Sequence, residues 1–407
     1  MSNKIEIVQS LRGMKDLMDR DGILFSYFIE KASLIAKNYG FTYLETPILE
    51  ETALFKRSVG ESSDIVGKEM YQFVDKGEND VCLRPEGTAG VVRMFVQNKL
   101  DRAGGTKKYF YHGPMFRYER PQKGRLREFH QFGCESFGEA SVYEDANMII
   151  MICEILKSVK IGHKLLINSL GCQECMPPYK KTLVTHLKEL HLCEDCDRRI
   201  ITNPIRVVDC KNESCKIELQ NAPKITNNLC KLCDEDFKKL KNILDENGIA
   251  YEVDTNLVRG LDYYTKTAFE FVSDQIGSQS AIAGGGRYDR LTEFLGGRPT
   301  PAVGFAIGIE RLMELVKIED TKDEILYIGA MNDEALDLVF SLVASKRKHM
   351  KVLSDYKPRS FSKHLANGEK QNATVIALIG ENELKDRTIW IKNMVLNKEI
   401  IIPIEEF

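Results

Sequence analysis

The stretch FRYERPQKGRLREFHQFGCESFG, Phe116 to Gly138, reads as the turn and returning arm of a long β-hairpin. The segment Lys108 to Glu119 is extended and rich in aromatics, Gln122 to Arg125 turns around Gly124, and Phe129 to Phe137 runs back. Four arginines (Arg117, Arg120, Arg125 and Arg127) and Lys123 surround the turn. Guanidinium forks match phosphate oxygens two at a time, so the hairpin suits a triphosphate together with a nucleic-acid backbone. Side chains of a strand alternate between faces, which groups Phe129, Gln131, Gly133 and Glu135 on one side. Phe129 is then placed to stack on a base, and Gln131 and Glu135 to face a small polar ligand. A merely solvated, salt-bridged hairpin needs no such density of arginine and aromatic residues.

Working outward, RPEGTAG (Arg84 to Gly90) sets Glu86 and Thr88 on a turn, where a carboxylate and a hydroxyl can hold an ammonium group. The same residues also suit the acidic first turn of a helix. LVRGLDYYTKTAFEF (Leu257 to Phe271) gathers Arg259, Asp262, Tyr263 and Tyr264 at the mouth of an aromatic strand. AIAGGGRYDRL (Ala281 to Leu291) offers three glycines for close approach, followed by Arg287, Tyr288 and Asp289. AVGFAIGIERL (Ala302 to Leu312) reads as part of a glycine-entered helix, Gly304 to Val316, whose exposed end carries Glu310 and Arg311, or as a tight helix-packing segment.

Other segments fill in the frame. Leu24, Phe28, Ala32, Ile35 and Tyr39 have helical spacing that stops at Gly40. Phe41 to Thr46 reads as a strand broken by Pro47, Ala146 to Val159 as a helix, Thr265 to Val272 and Ala281 to Ala283 as strands. From Glu324 the pattern alternates strand (Ile325 to Ile328), helix (Asn332 to Ser345), strand (Val352 to Leu353), helix, strand (Thr374 to Ile379), which marks a separate small α/β domain. At 407 residues, with 43% hydrophobic and 29% charged content, the chain is a multi-domain globular protein. No apolar run reaches the length of a membrane span, and MSNKIEIVQS lacks the basic and apolar regions of a secretory signal. A cytoplasmic location is the expectation. The net charge of −3 excludes little, since a local basic strip suffices for nucleic acid.

Taken in order, these segments resemble class II aminoacyl-tRNA synthetases, most of all the histidyl family. FTYLETPILEETALFKRSVGE resembles motif 1, whose strand and Pro47 lie at the dimer interface in that class. FRYERPQKGRLREFHQ resembles motif 2 and AVGFAIGIERL motif 3. LVRGLDYY and AGGGRYD resemble the two peptides that set the histidyl family apart. The resemblance covers nearly the whole chain. It implies an α+β catalytic domain, an antiparallel sheet flanked by helices, at 1–171 and 252–321. It also implies a mostly helical, cysteine-rich insertion at 172–251 and an α/β anticodon-binding domain at 324–407. Carried over, Arg259 and Arg117 are catalytic, Arg117 binding the α-phosphate. Glu86, Gly87 and Thr88 hold the α-amino group, and Gln131, Tyr263, Tyr264 and Tyr288 line the histidine site, with Glu135 reading the imidazole. Glu119 and Phe129 take the adenine and Arg311 the triphosphate. Histidine, ATP with Mg²⁺ and tRNA-His are the implied partners, in a homodimer that makes histidyl-tRNA.

Two further readings follow from the residues. Glu135 either takes the imidazole N–H or braces the hairpin against a nearby arginine. Synthetase-like regulatory subunits lack the C-terminal domain and lose signature residues, whereas Arg117, Arg259, Arg311 and the C-terminal segment are all present here. Eight of the 11 cysteines fall between Cys172 and Cys233. Cys172–Cys175, Cys193–Cys196 and Cys230–Cys233 are CxxC pairs, and Cys210–Cys215 is a looser one. They suffice in number for two Cys₄ zinc sites, or are free structural thiols. Their pairing is open. A zinc-dependent nucleic-acid module, read from these cysteines alone, leaves the two histidyl peptides unexplained.

Overall fold

Leu24, Phe28, Ala32 and Ala36 recur every fourth residue and are all buried, so the helix Asp19–Asn38 lays one apolar stripe on the protein interior. Asp19 and Asp21 complement the positive end of its dipole, and Gly40, at φ +82°, ends the run. The computed structural model describes residues 7–60, 63–276, 281–316 and 324–407. Two compact units, Met1–Lys317 and Ile318–Phe407, divide the chain, with the cysteine-rich segment grouped in the first.

The first unit contains the strands β1 (Thr42–Tyr43), β2 (Leu49–Glu51), β3 (Tyr71–Val74), β4 (Asp80–Leu83), β5 (Lys107–Phe116), β6 (Glu128–Phe137), β7 (Lys164–Ser169), β8 (Glu252–Val253), β9 (Thr265–Val272), β10 (Ala281–Arg287) and β11 (Ala302–Gly308). Eight of them form one sheet in the order β1-β5-β6-β11-β10-β9-β7-β8. The six central strands are antiparallel, and the two-residue edge strands β1 and β8 run parallel to their neighbours. Edges that short offer little template for stray pairing. The helix Val142–Ser158 packs against β10 and β11. β2, β4 and β3 make a separate small sheet.

The β5–β6 hairpin is ten residues deep and pairs Tyr111 with Gly133 and Gly113 with Gln131. Its turn falls at Lys123–Gly124, closed by a bridge between Gln122 and Arg125. Two expectations need correction. Of Phe41 to Thr46 only Thr42–Tyr43 pair as strand. Gly304 does not enter a helix: it lies within β11, and the helix is the short Ile309–Met313. The reason is steric. Gly304 pairs with Glu135 of β6, and a Cβ there would lie 1.7 Å from the Glu135 carboxylate. The glycine makes room for a buried side chain of the next strand.

Between β7 and β8 the chain forms the helices Met176–Leu187, Glu194–Thr202, Glu213–Glu218 and Lys231–Glu246. In the second unit β12 (Ile325–Ala330), β13 (Lys351–Leu353) and β14 (Val375–Ile379) are parallel, and β15 (Thr388–Asn393) and β16 (Lys398–Pro403) extend the sheet antiparallel, in the order β13-β12-β14-β15-β16. The helices Leu336–Lys346 and Phe361–Lys370 cross over between the parallel strands. Trp390 on β15 faces Phe361 edge-on, 4.6 Å between ring centres. Among the described residues no helix is long and apolar enough to cross a membrane.

Candidate active site

One pocket of about 200 Å³ lies over the central strands of the large sheet. It is lined by Glu86, Thr88, Arg117, Glu119, Phe129, Gln131, Arg259, Tyr263, Tyr264 and Arg311 from four distant segments of the chain. Three sequence-predicted residues are not on its wall. Gly87 backs onto Tyr111, while Glu135 and Tyr288 are buried, 0% and 1% exposed, in a hydrogen-bonded network with the wall residue Thr88.

One end of the pocket is built from cations. Arg117 donates through Nε to the Pro85 carbonyl, 2.9 Å, and its guanidinium sits 5.2 Å from the Phe129 ring centre. Arg125 pairs with Glu119 at 2.7 Å. Arg311 donates to the carbonyls of Gly124 and Ala281, each 3.0 Å, which pins it across the hairpin turn. Burial, then repulsion from Arg125 and Arg117, pushes the Arg311 guanidinium below its ordinary value. Like charges crowded this way are relieved by an anion. Arg311 and Glu310 are not at an exposed helix end. Glu310 accepts the His130 backbone N–H at 2.8 Å and contacts its Nδ1 at 2.7 Å, which latches the Ile309–Met313 helix to β6. Arg259 pairs with Glu270 of β9; burial disfavours its charge, but Glu270 holds the guanidinium up.

The glycine run of β10 has three separate uses. A Cβ at Gly284 would lie 2.4 Å from the Arg259 guanidinium, at Gly285 2.2 Å from the Gly304 carbonyl, and at Gly286, φ +156°, 2.4 Å from the Thr267 carbonyl. Only the first opens space for a functional side chain. Arg287 and Asp289 turn away from the pocket: buried Arg287 pairs with Asp145 and donates to the Glu139 carbonyl at 2.9 Å.

The opposite end carries the Glu86 carboxyl and hydroxyls on its wall and a polar network beneath. Glu86 accepts the backbone N–H groups of Thr88 and Ala89 at 2.7 and 2.8 Å, so it caps the helix Thr88–Gln97. The helix-start reading of this turn is thus met, and each carboxylate oxygen still keeps a lone pair. Burial raises the Glu86 carboxyl, and these two amide bonds hold it back. Glu135 accepts from Thr88 Oγ1 at 2.8 Å, Tyr111 Oη at 3.2 Å and Tyr288 Oη. Burial raises this carboxyl to about 8, against the pull of those hydroxyl donors. Among the described residues no arginine pairs with it. Tyr111 is the member that sequence reasoning missed. Its signal is indirect: Gly87 and Gly133 both lie where a Cβ would strike its ring, at 2.2 and 2.3 Å. Gln131 Oε1 lines the pocket and is buried without a hydrogen-bond partner, which is costly unless a ligand supplies one.

A second cavity, about 1030 Å³, adjoins the first and shares Arg117, Arg125, Arg259 and Arg311 with it. Its far wall comes from the cysteine-rich segment, including Cys193, Arg199, Arg206 and Cys210.

The family model described as histidyl-tRNA synthetase matches residues 13–189 and 205–312. A histidine–tRNA ligase of Sulfurimonas denitrificans is 65% identical over 390 residues, 95% of this chain and 97% of that protein. One from Sulfurovum sp. is 62% identical over 402 residues, covering 98% and 100%. The crystal structure of apo Staphylococcus aureus histidyl-tRNA synthetase superposes with a TM-score of 0.82 at 32% identity, covering 98% of each chain. A Bacillus halodurans protein described as an ATP phosphoribosyltransferase regulatory subunit/histidyl-tRNA synthetase shares the fold, with a TM-score of 0.68 at 20% identity over 93% of this chain and all of that one.

Proposed function

Because the chain belongs to the histidyl-tRNA synthetase family, we propose that the 200 Å³ pocket is where histidine and ATP react. The chain is a histidine–tRNA ligase: ATP, L-histidine and tRNA-His become AMP, diphosphate and histidyl-tRNA. A carboxylate oxygen of histidine attacks the α-phosphorus of ATP, and the bond to pyrophosphate breaks. A terminal ribose hydroxyl of the tRNA then attacks the carbonyl of the adenylate, and AMP leaves. Neither step needs a nucleophile from the protein, so catalysis is positioning and charge stabilisation. ATP carries Mg²⁺ with it, as in aminoacyl-tRNA ligases generally.

In this reading Arg117 and Arg311 hold the phosphates from opposite sides, and Arg259 stabilises the reacting carboxylate and α-phosphate. Phe129 supports the adenine and Glu119 accepts from its amino group. Glu86, Gly87 and Thr88 receive the α-ammonium together with Gln131. In its ionised form Glu135 accepts from three hydroxyls and keeps one of roughly four acceptor sites for the imidazole N–H, and that bond favours ionisation of the raised carboxyl. Tyr263 donates to the other ring nitrogen, Tyr264 walls the ring, and Tyr288 acts from behind the wall by donating to Glu135. The observation that carries this reading is the pairing of a crowded guanidinium end with the buried, unpartnered Gln131 Oε1 in one pocket.

The adjoining 1030 Å³ cavity admits the tRNA acceptor end, because it shares the arginines that meet the adenylate. Residues 324–407 bind the anticodon; Lys346 and Arg347 each already donate one bond, to the Phe407 and Val352 carbonyls. The enzyme works in the cytoplasm as a homodimer. Exposed Tyr43, Ile48, Leu49, Phe73 and Val74 around the motif 1 segment supply apolar surface for a second copy. The test is histidine-dependent ATP–pyrophosphate exchange, followed by charging of total tRNA with each of the twenty amino acids and mass measurement by light scattering. Exchange driven equally by another amino acid would overturn the assignment of the pocket, and a monomeric mass that of the dimer.

A further inference from the structure

The eight clustered cysteines fold into two groups of four. Cys172 and Cys175 meet Cys230 and Cys233, whereas Cys193 and Cys196 meet Cys210 and Cys215, and within each group the sulfurs all lie within 4.8 Å of one another. Measured separations are 3.7 Å for Cys172–Cys175, 3.8 Å for Cys172–Cys230 and 3.9 Å for Cys193–Cys210. A disulfide requires about 2.05 Å, so none of these pairs is bonded. A zinc ion about 2.3 Å from four tetrahedral sulfurs places neighbouring sulfurs about 3.8 Å apart. We propose that each group binds one Zn²⁺ as a closed tetrathiolate site.

The surroundings also suit sulfur ligands of a metal. Backbone N–H groups point at the sulfurs: Cys230 N to Cys175 Sγ at 3.0 Å, Cys193 N to Cys215 Sγ at 3.3 Å and Glu174 N to Cys172 Sγ at 3.4 Å. Donors of this kind orient metal-bound sulfur and offset its charge. Gly171 sits at φ +69°, where a Cβ would lie 2.7 Å from Cys175 Cβ, so the chain can fold tightly onto its own ligand loop. The two sites also supply what the segment lacks. Five of the 12 residues forming its buried core are cysteines, too few apolar side chains to order four short helices unaided. With four closed ligands and no open position, each site is structural.

Their placement gives each a distinct task. The first site ties the start of the segment to its last helix, just beyond Gly171, whose carbonyl accepts the Lys266 N–H while the Lys266 carbonyl accepts from Leu170. The second holds Cys193 and Cys210 on the wall that faces Arg259 and Arg311 across the larger cavity.

Elemental analysis of the full-length protein, purified without chelator or polyhistidine tag, should find two zinc ions per chain. Cys210→Ser/Cys215→Ser and Cys230→Ser/Cys233→Ser should each retain one. Should either variant fail to fold, the unaltered chain still decides: cobalt-grown protein should show the intense visible absorption of tetrahedral tetrathiolate Co²⁺. Removing metal with a strong chelator should raise hydrogen exchange chiefly within 172–251. Iron in place of zinc, a content other than two, or eight thiols that titrate freely in the native chain would overturn the assignment.

Discussion

Arg259 is held from two sides, by Glu270 and by the missing side chain of Gly284. If it stabilises the reacting carboxylate and phosphate, Arg259→His should lower histidine-dependent exchange about a hundredfold, ~3 kcal/mol, while ATP affinity changes little. Equilibrium ATP binding measured beside exchange separates the two, and exchange within a few-fold of the unaltered enzyme would refute the role. Glu135 allows a different experiment. Its folded-state carboxyl stands near 8 because it is buried, against an ordinary value of 4.5. Folding therefore favours the protonated form. The stabilisation this gives is complete below about pH 4.5 and is lost as the pH rises through about 8, on the order of a few kcal/mol. Glu135→Gln should flatten that dependence, read as urea midpoints between pH 5 and 9; an unchanged slope would show that another group sets it. The same variant should raise the histidine KM by a factor equivalent to about 1–3 kcal/mol and leave the ATP KM nearly unchanged. A parallel loss of ATP binding would point to bracing of the hairpin instead.

The β6–β11 pair shows how one element reserves space for another. Adding a methyl at Gly304 drives into the Glu135 carboxylate, so Gly304→Ala should cost about 1–3 kcal/mol and impair histidine use at least as much as Glu135→Gln. A thermally unchanged, fully active G304A would contradict the packing described. At this scale the sequence was legible unevenly. The β5–β6 hairpin was plain because alternation, aromatic content and a glycine turn all agree within twenty-odd residues. Gly304 was misassigned because its role is set by Glu135, a residue of another strand. The pairing of Cys172 with Cys230 was open for the same reason, since short spacings reveal CxxC units but not which units meet. Tyr111 escaped notice as one aromatic among several, although two glycines are shaped around it. β15 and β16 were missed where turn signals end the α/β alternation.

Every residue lining the proposed adenylate pocket belongs to the unit Met1–Lys317. A chain ending before Glu324 should therefore keep histidine-dependent exchange at a measurable level while tRNA charging falls by a much larger factor. Circular dichroism and light scattering would establish that the shortened chain is folded and assembled. Equal loss of both activities in such a protein would remove the case for anticodon binding by the second unit. The fold class and the ligands were readable at this scale because motif order survives over the whole chain. The floor of the pocket was not, because hydroxyls from Thr88, Tyr111 and Tyr288 converge on Glu135 only after the sheet forms.

The edge-on contact of Trp390 with Phe361 makes the second unit optically distinct. Trp390 is the chain's single tryptophan, so emission excited at the red edge of protein absorbance comes from the 318–407 unit alone. Histidine and ATP binding within the first unit should be nearly silent in that channel. A tRNA that seats on the second unit should change its intensity or its access to quenchers. One fluorophore, with no label added, can thus time the arrival of the nucleic acid separately from the chemistry.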